Sequence, residues 1–322
     1  MPRLFNNDGT YIDVEHINGY LFAGPDIYVE SRPTPMCQVP PMTKGNQPTD
    51  DGNFIFSEEE AAKFCKKYPE HKKFLHRYLG AKDFLHNSPI RYCLWLKDVP
   101  PNEYRNNPEI MRRLKNIKIF REKSTAAPTR KSAETPYKFF STPQTNSQCI
   151  VVPRVSSELR RYIPMDFVTP DIIVGDSLSI IPDAQMWHFG ILQSSVHMIW
   201  TRTVCGRLRM DYRYSGKVVY NNFVWMRMHF EDFVALWLSA QKILDVRKKY
   251  PNASLADLYD EVTMPKDLRD AHRENDKIVM KIYGFDKNMT EEEIAIALLQ
   301  HYEFLKNNPP PEKTEDDEDE EY

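Results

Sequence analysis

Gly206-Arg-Leu-Arg-Met-Asp-Tyr-Arg-Tyr-Ser215 is the stretch of sequence that decides how the centre of this chain is interpreted. Polar and apolar side chains alternate along it. The polar set is Arg207, Arg209, Asp211, Arg213 and Ser215, and the apolar set is Leu208, Met210, Tyr212 and Tyr214. Because successive strand side chains point to opposite faces, the alternation predicts one strand with a single charged face. Such a face has two interpretations: it is either a binding surface or the solvated outer face of an ordinary sheet.

The sequence around this stretch predicts an α+β fold in three parts. A mixed α/β domain is expected over residues 1–222, a small helical bundle over 223–306 and a disordered acidic tail over 307–322. Capping boxes open helices at Ser57 and Thr290, and Pro108 opens a third helix.

Other elements follow from periodicity and from proline or glycine at their ends. Further helices are predicted over Lys72–Tyr78 and Trp187–Val204, a basic loop over Thr125–Pro143, and short strands at Tyr92–Leu96, Cys149–Val152, Tyr162–Ile163, Ile172–Val174 and Leu178–Ile181. After residue 229 the apolar spacing is helical, and one stripe is expected to face the core. Its members are Phe230, Phe233, Val234, Trp237, Ala240, Ile243 and Leu244.

The formal net charge of −3 conceals two opposed regions. Residues 312–322 hold eight acids and one lysine, and residues 112–161 hold twelve Lys or Arg against three Glu. Clustered cations beside an acidic tail are typical of nucleic-acid binders, because contacts to phosphates need clustered positive charge. The bland alternative for the tail is a contribution to solubility.

Composition argues against several classes of protein. The five cysteines are odd in number and far apart in sequence, which disfavours zinc ribbons and disulfide frameworks. No signal peptide and no apolar run long enough to span a membrane is present, so a cytoplasmic protein is expected.

Catalytic motifs are also missing from the sequence. The scattered glycines form no dinucleotide or phosphate loop, and the histidines form no HExxH pair. Asn308-Pro-Pro-Pro311 resembles the Asn-Pro-Pro-aromatic motif of amino methyltransferases but lacks the aromatic residue that stacks on the flipped base. No catalytic, cofactor-binding or metal-binding residue is therefore predicted, and whether the chain is an enzyme stays open.

Several short segments together carry a resemblance to a known family. They are Arg91-Tyr-Cys-Leu-Trp-Leu96, Pro153-Arg-Val-Ser-Ser-Glu-Leu-Arg-Arg-Tyr-Ile-Pro164, His188-Phe-Gly-Ile-Leu-Gln-Ser194, Gly206–Ser215, Tyr220-Asn-Asn-Phe223 and Ser254-Leu-Ala-Asp-Leu-Tyr-Asp260. From about Ile17 to Phe285 the chain resembles the C-terminal part of MmeI-like (type IIL) restriction–modification enzymes and related adenine-specific DNA methyltransferases. That part comprises the target-recognition domain and a helical C-terminal domain.

The resemblance implies a sequence-specific duplex-DNA recognition module that is non-catalytic by itself. Its implied partners are double-stranded DNA and a methyltransferase domain, in the same polypeptide or in a partner chain. S-adenosylmethionine, and Mg if a nuclease is present, would belong to the parent enzyme. One departure is visible: Val224 and Met226 stand where the family usually has prolines, and the long acidic tail is outside the family pattern.

Arginine and aspartate carry the chemistry expected at the interface. Arginine donates two bonds to guanine, and aspartate accepts from the cytosine amino group. The predicted base-reading residues are Arg209, Asp211 and Arg213, and the resemblance places sequence-discriminating residues in the same strand. A salt bridge between Arg209 and Asp211 is the alternative. Contacts to the DNA backbone, or from a loop entering a groove, are predicted for Arg112, Arg113, Lys115, Arg130, Lys131, Arg154, Arg160, Arg161 and Arg207.

Two other functions stay open at this point. One is a self-contained DNA-modifying enzyme with an unrecognised active site, which cofactor binding would reveal. The other is an RNA-binding or scaffold protein, which a sequence-selective footprint on duplex DNA would exclude.

Overall fold

The computed structural model describes residues 1–5 and 9–309, so most of the predicted acidic tail lies outside the described residues. The strands are β1 (Arg3–Phe5), β2 (Tyr11–Asp13), β3 (Thr43–Lys44), β4 (Ile55–Ser57), β5 (Leu75–Leu79), β6 (Arg91–Leu94), β7 (Cys149–Pro153), β8 (Val155–Ser156), β9 (Asp166–Val168), β10 (Ile173–Val174), β11 (Leu178–Pro182), β12 (Gly206–Leu208) and β13 (Asp211–Arg213). The helices are α1 (Glu58–Lys67), α2 (Ala81–His86), α3 (Pro108–Glu122), α4 (Ala127–Lys131), α5 (Met186–Leu192), α6 (Ser195–Val204), α7 (Phe230–Arg247), α8 (Leu255–Leu258), α9 (Lys266–Ile282) and α10 (Glu291–Asn307).

The strands form three small sheets and one separate ribbon. The first sheet has the order β10-β5-β6-β4, with β10 parallel to β5 and the other pairs antiparallel. The second has the antiparallel order β3-β11-β7-β9, and the third the antiparallel order β12-β13-β8. The ribbon is β1 paired with β2. Helices follow from α7 onward, so the predicted α+β class, with a mixed part before a helical part, is confirmed.

The central strands of the second sheet show why these residues form it. All five residues of β7 are buried, and β7 pairs with β11 over five residues in register. A continuous run of β-branched and other apolar residues fits a strand that is covered on both faces. The sequence signal is therefore strong here even though it does not alternate.

One large core joins the mixed part to the helices. It runs from Ile150 and Tyr162 through Trp200 to Leu268 and Leu298. A second core lies beneath the first sheet, between β4–β6 and the helices α1 and α3. The predicted boundary at residue 222 therefore does not separate two hydrophobic cores.

Buried polar contacts reinforce this junction. On α7, Arg247 donates from Nη1 to the carbonyl oxygen of Met165 (2.7 Å) and from Nη2 to Oε1 of Gln193 (2.9 Å). On α9, Asp276 accepts from the hydroxyl of Tyr162 (2.6 Å) and from the backbone N–H of Ser195 (2.6 Å). Buried charges are tolerated only when they are bonded in this way. The helices therefore hold a fixed position under the mixed part.

Several local predictions are confirmed. Ser57 and Thr290 form complete capping boxes at α1 and α10, and Asn107 caps α3 ahead of Pro108. These signals are contained in four or five consecutive residues. They therefore predict where a helix begins without information from the rest of the chain.

Other local predictions are wrong, each for a tertiary reason. Lys72–Tyr78 is not a helix: a 3₁₀ turn ends at Phe74, and β5 then pairs on both edges with β6 and β10. Tyr162–Ile163 lies outside the strands, although both residues are buried. The helix expected over Trp187–Val204 is two helices, because Ser194 caps a new one by accepting from the backbone N–H of His197 (3.2 Å).

The stripe predicted on α7 is also partly wrong. Ala240 and Ile243 are buried as expected, but Phe230, Val234 and Trp237 are exposed. The face turned to the core instead carries Leu236, Ser239, Ala240, Ile243, Val246 and Arg247. Helical spacing alone could not decide between these two apolar faces.

Candidate nucleic-acid interface

The decisive stretch is a β-hairpin and not a single strand. β12 and β13 pair antiparallel with Gly206 opposite Arg213, Arg207 opposite Tyr212 and Leu208 opposite Asp211. Arg209 and Met210 form the two-residue turn, and Arg209 has φ +58°. Such turns usually carry Gly or Asn, whose absence here left the turn unrecognised in the sequence.

The hairpin changes which side chains share a face. Residues paired across strands share a face, and faces alternate along each strand. Asp211 and Arg213 therefore lie on one face together with Leu208, while Arg207 shares the other face with Tyr212. The predicted placement of Arg207, Arg209 and Asp211 on one strand face is wrong, because the turn at Arg209 and Met210 interrupts the alternation.

Two buried tyrosines anchor the hairpin to the core. Tyr212 and Tyr214 are almost fully covered, and the hydroxyl of Tyr214 lies 2.8 Å from Nε2 of His197 on α6. Burial lowers the pKa of His197 to about 3 and raises the pKa of Tyr214 well above its usual value. Both groups are therefore neutral at physiological pH, and the anchor carries no charge.

β8 gives the hairpin a second support. Tyr212 pairs with Ser156 and Arg213 with Val155 across the β13–β8 ladder. Three strands with one face packed on a core are more rigid than an isolated two-stranded hairpin. The base of the hairpin is therefore fixed, while its turn projects from the sheet.

The projecting part of the hairpin is basic and apolar together. Arg207, Arg209 and Arg213 are exposed. Leu208 and Met210, two members of the apolar set, are 51% and 65% exposed. Sequence reasoning missed these two residues, and no signal within the stretch distinguished them from Tyr212 and Tyr214.

Arg207 is held against the hairpin itself. Its guanidinium lies 4.1 Å from the centre of the Tyr212 ring, and Nη1 donates to the carbonyl oxygen of Met210 (3.2 Å). A cation over an aromatic face is stabilised by the ring quadrupole. Arg207 therefore braces the turn while it stays exposed at one edge.

Asp211 has a basic neighbour within the protein. Burial lowers the pKa of Arg160, and the charges of Asp211 and Asp260 partly oppose that shift. Arg160 also donates to the hydroxyl of Ser156 (3.3 Å). No salt bridge between Arg209 and Asp211 is found among the residues the structure describes. Arg160 is therefore close enough to Asp211 for the charge of Asp211 to act on it.

A cleft of about 320 Å³ lies beside the hairpin. Its charged lining residues are Glu158, Arg160, Arg161, Arg202, Glu261 and Glu291. Arg202 is already paired with Glu291 at 2.9 Å. Three acids balance three arginines, so this cleft is poorly suited to hold a phosphate.

Of the predicted contact residues in this cleft, Arg161 is exposed and Arg160 is half-buried. The nearby Arg154 is half-buried and donates to the carbonyl oxygen of Asp176 (3.0 Å).

The basic helix α3 divides into two kinds of side chain. Arg113 is buried, donates to Glu109 (2.9 Å) and to the carbonyl oxygen of Asn53 (3.0 Å), and lies 3.7 Å from the centre of the Phe56 ring. This placement argues against the predicted phosphate contact by Arg113, because its guanidinium is used inside the fold. Arg112 and Lys115 are exposed, with Arg112 also bonded to Glu109 (2.7 Å).

The predicted basic loop is partly helical. Arg130 and Lys131 end the short helix α4, and both are exposed. Arg130 donates from Nη1 to the carbonyl oxygens of Ser124 (2.9 Å) and Thr125 (2.7 Å). These contacts close the segment on itself, so it is more compact than a freely reaching loop.

Two properties of the molecule bear on other classes of site. Among the described residues, no group of three or more His, Cys, Asp or Glu side chains is placed to hold a metal ion. Within the same residues, no helix combines the length and apolarity needed to cross a membrane.

Comparisons with known proteins place this geometry in context. Residues 23–227 match the family model of the MmeI target recognition domain, and residues 235–308 match that of the MmeI C-terminal domain. DNA methyltransferase A of Bacillus subtilis (strain 168) is 38% identical over 296 residues, which are 92% of this chain and 33% of that protein. A solved structure of the type IIL restriction-modification enzyme MmeI in complex with DNA matches with a TM-score of 0.88 and 40% identity, over 94% of this chain and 40% of the solved chain. The chain thus spans about a third of the curated relative.

Proposed function

Because the chain belongs to the family of MmeI target recognition and C-terminal domains, we propose that it is the sequence-specific duplex-DNA recognition module of a DNA methyltransferase or restriction–modification enzyme. The observation that carries the proposal is the rigidly anchored hairpin with three exposed arginines and an aspartate near its turn. The MmeI structure that this chain matches contains DNA, which supports a DNA-facing role for the same fold.

The hairpin would enter a groove and read base edges. A two-stranded ribbon fits the major groove of B-DNA, where each base pair presents a distinct pattern of donors and acceptors. Arg209 at the turn and Asp211 just after it are close enough in sequence to contact one G·C pair, with Arg209 donating to guanine and Asp211 accepting from cytosine. Arg213 shares a face with Asp211 and would read a neighbouring position.

Other basic residues would hold the DNA backbone. The exposed candidates outside the charge-balanced cleft are Arg112, Lys115, Arg130, Lys131 and Arg207. Each would add affinity without sequence information, because phosphates are the same at every base pair. Arg113 is left out of this set because its guanidinium is bonded inside the fold.

Methyl transfer would be performed by a separate methyltransferase module, in the same polypeptide or in a partner chain. That module would bring S-adenosylmethionine, and a nuclease, where one exists, would bring Mg. The relative named DNA methyltransferase A is about three times as long as its match to this chain, which leaves room for such a module. We keep residues 1–222 and 223–306 as the proposed recognition and helical parts.

Selection of bound sites from a random duplex pool tests the proposal with the chain alone. The expected result is an enriched duplex sequence. Unlabelled duplex DNA of that sequence should compete for binding to the protein, and RNA of the same sequence should not. Arg209→Ala should flatten the preference at one position, whereas Arg273→Ala, an exposed arginine on α9 paired with Asp270, should leave the profile unchanged. Equal binding of RNA and DNA, or an unenriched pool, would reject a DNA-reading role. Methyl transfer by the chain alone would instead show that it contains its own active site.

A further inference from the structure

Helix α7 is apolar on two opposite faces along its first half. One face packs Leu236 and Ala240 into the core against α5 and α9. The other carries four side chains at spacings of four, seven and eight residues from the first. They are Phe230, Val234, Trp237 and Leu238, which are 74%, 38%, 41% and 58% exposed. This second face, the α7 stripe, is one continuous band along the helix.

The helix face that carries the α7 stripe becomes polar towards the C-terminal end of α7. Gln241 donates from Nε2 to Oδ1 of Asp245 (2.9 Å), and Lys248 lies 3.0 Å from the same carboxylate. A solvated helix surface normally carries polar and charged side chains such as these. The contrast within one helix sets the α7 stripe apart from an ordinary exposed face.

Two charged residues of α7 are paired with charges on α9. Asp232 pairs with Lys281 at 2.6 Å, and Lys242 pairs with Glu274. All four residues of the stripe are apolar, so it offers a partner an apolar contact surface. A helix that is apolar on both sides belongs in an interior, and a clustered exposed apolar band marks an interaction site.

The occupant can be chosen from chemistry and chain length. Duplex DNA presents phosphates, which an apolar band does not recognise, and the arginines for that role lie on other elements. The chain covers 33% of DNA methyltransferase A and 40% of the MmeI chain, so in both relatives a larger remainder accompanies the matching part. A module that reads bases must also be held in fixed register with the module that methylates them, and a hydrophobic interface provides that rigidity.

We propose that the α7 stripe is the surface that packs against the methyltransferase module, whether that module belongs to the same polypeptide or to a separate chain. The inference rests on the proposed function, since it takes from it the identity of the partner. It adds which face of the molecule holds that partner, and it assigns a role to the apolar residues that the core does not use.

Thiol labelling at the stripe tests this placement. Leu238→Cys is made in the free chain and in a graft in which this chain replaces the matching third of B. subtilis DNA methyltransferase A. Maleimide labelling is followed by mass spectrometry of the peptide, so that the natural cysteines do not interfere. Lys248→Cys, on the polar part of the same helix face, is the matched control. In the graft, labelling of Leu238→Cys should slow by at least about tenfold, whereas Lys248→Cys should react equally fast in both proteins.

The other occupants give different results. Slow labelling in the free chain with a doubled mass in light scattering would assign the stripe to a second copy and overturn the proposal. Slow labelling of the free chain only when duplex DNA is added would assign it to DNA and also overturn it. Equal labelling in the free chain and the graft would show that nothing covers the stripe.

A graft that does not fold is replaced by two co-expressed chains, this one and the remainder of DNA methyltransferase A. Co-purification that is lost on Trp237→Ser with Leu238→Ser supports the proposal, and failure to co-purify overturns it. Failure of the proposed function is separately visible, because site selection with the free chain does not depend on the stripe. Protection in the graft without any sequence preference would retain the docking surface and reject DNA reading.

Discussion

Arginines of the hairpin and arginines of helix α3 are the same residue type in opposite roles. Arg209 and Arg213 are exposed beside the hairpin turn, whereas Arg113 and Arg121 are buried against backbone carbonyls. Arg121 donates to the carbonyl oxygens of Pro48, Thr49, Ser132, Thr135 and Lys138. Counting positive charge along a sequence therefore overstates the surface available to phosphates, because a guanidinium with five donors is also an effective internal crosslink.

The largest expected effect is a loss of stability on replacing Arg121, the buried arginine of this comparison. Arg121→Met should lower the free energy of unfolding by at least about 3 kcal/mol, because several buried carbonyls lose their donor at once. Urea unfolding of the variant and of the parent measures it. Arg213→Met, an exposed arginine on the hairpin, should stay within about 0.5 kcal/mol of the parent. Similar losses for both substitutions would contradict the division into internal and external arginines.

Acid should weaken the base of the hairpin before it weakens the crosslink made by Arg121. His197 is neutral when folded, with a pKa of about 3 caused by burial, and has its ordinary pKa near 6.5 when unfolded. The unfolded state therefore binds the extra proton, and stability is lost as pH falls below about 6.5. At pH 4.5 the loss from this residue is about 2–3 kcal/mol.

Urea unfolding at pH 7 and pH 4.5 checks this, with His197→Gln as the comparison. The amide can still bond the Tyr214 hydroxyl but cannot titrate, so the variant should lose less stability between the two pH values. Hydrogen exchange at pH 4.5 should rise around α6 and β13 more than around α3, since a guanidinium keeps its charge throughout. An unchanged pH dependence in the variant would remove His197 as the cause.

Truncating the exposed arginine at the turn should affect DNA binding and leave stability alone. Arg209→Ala should cost about 1–3 kcal/mol of binding to the selected site, because one base loses a bidentate donor. Binding to unrelated DNA should change much less. Titration of both duplexes with the variant gives the two values, and equal losses would place Arg209 on a phosphate.

The smallest expected effect concerns the exposed cations of α3. Neutralising Arg112 and Lys115 together should reduce the log–log salt slope of DNA binding by about 0.9 for each phosphate that the variant no longer neutralises, with the preferred sequence unchanged. Lys248→Gln, a charge removal on α7, provides the control. A slope that does not respond to the double substitution would put the phosphate-binding residues elsewhere, for example at Arg130 and Lys131.

The parts of the fold that could be predicted are those fixed by a few adjacent residues. The capping boxes at Ser57 and Thr290 and the proline start of α3 are of this kind. Strand β5 could not be predicted, because its strand state depends on partners at Arg91–Leu94 and Ile173–Val174. The break before Ser194 had a local signal, the cap by Ser194, which the helical spacing of the apolar residues on both sides concealed; Gln193 also donates to the carbonyl oxygen of the distant Ile163 (2.6 Å).

The candidate site shows the same limit. Residue types along Gly206–Ser215 indicated base-reading chemistry, but the turn at Arg209 and Met210 lacks the glycine or asparagine that would have revealed a hairpin. Burial of Arg113 was equally hidden, because its carbonyl partners Asn53 and Ile55 lie 60 and 58 residues away in sequence. Local patterns therefore indicated which residue types could contact DNA. Long-range pairing determined which of those side chains are exposed.

Reversing the charges at the hairpin turn tests the central claim most directly. Arg209→Asp with Asp211→Arg exchanges donor and acceptor, and aspartate tolerates the positive φ of position 209 better than most residues do. The site profile of this double variant, measured by selection from a random duplex pool, should change at one position from its parental G·C pair to the inverted C·G pair. A profile that keeps the parental base at every position would contradict the account, because the hairpin would then not read sequence.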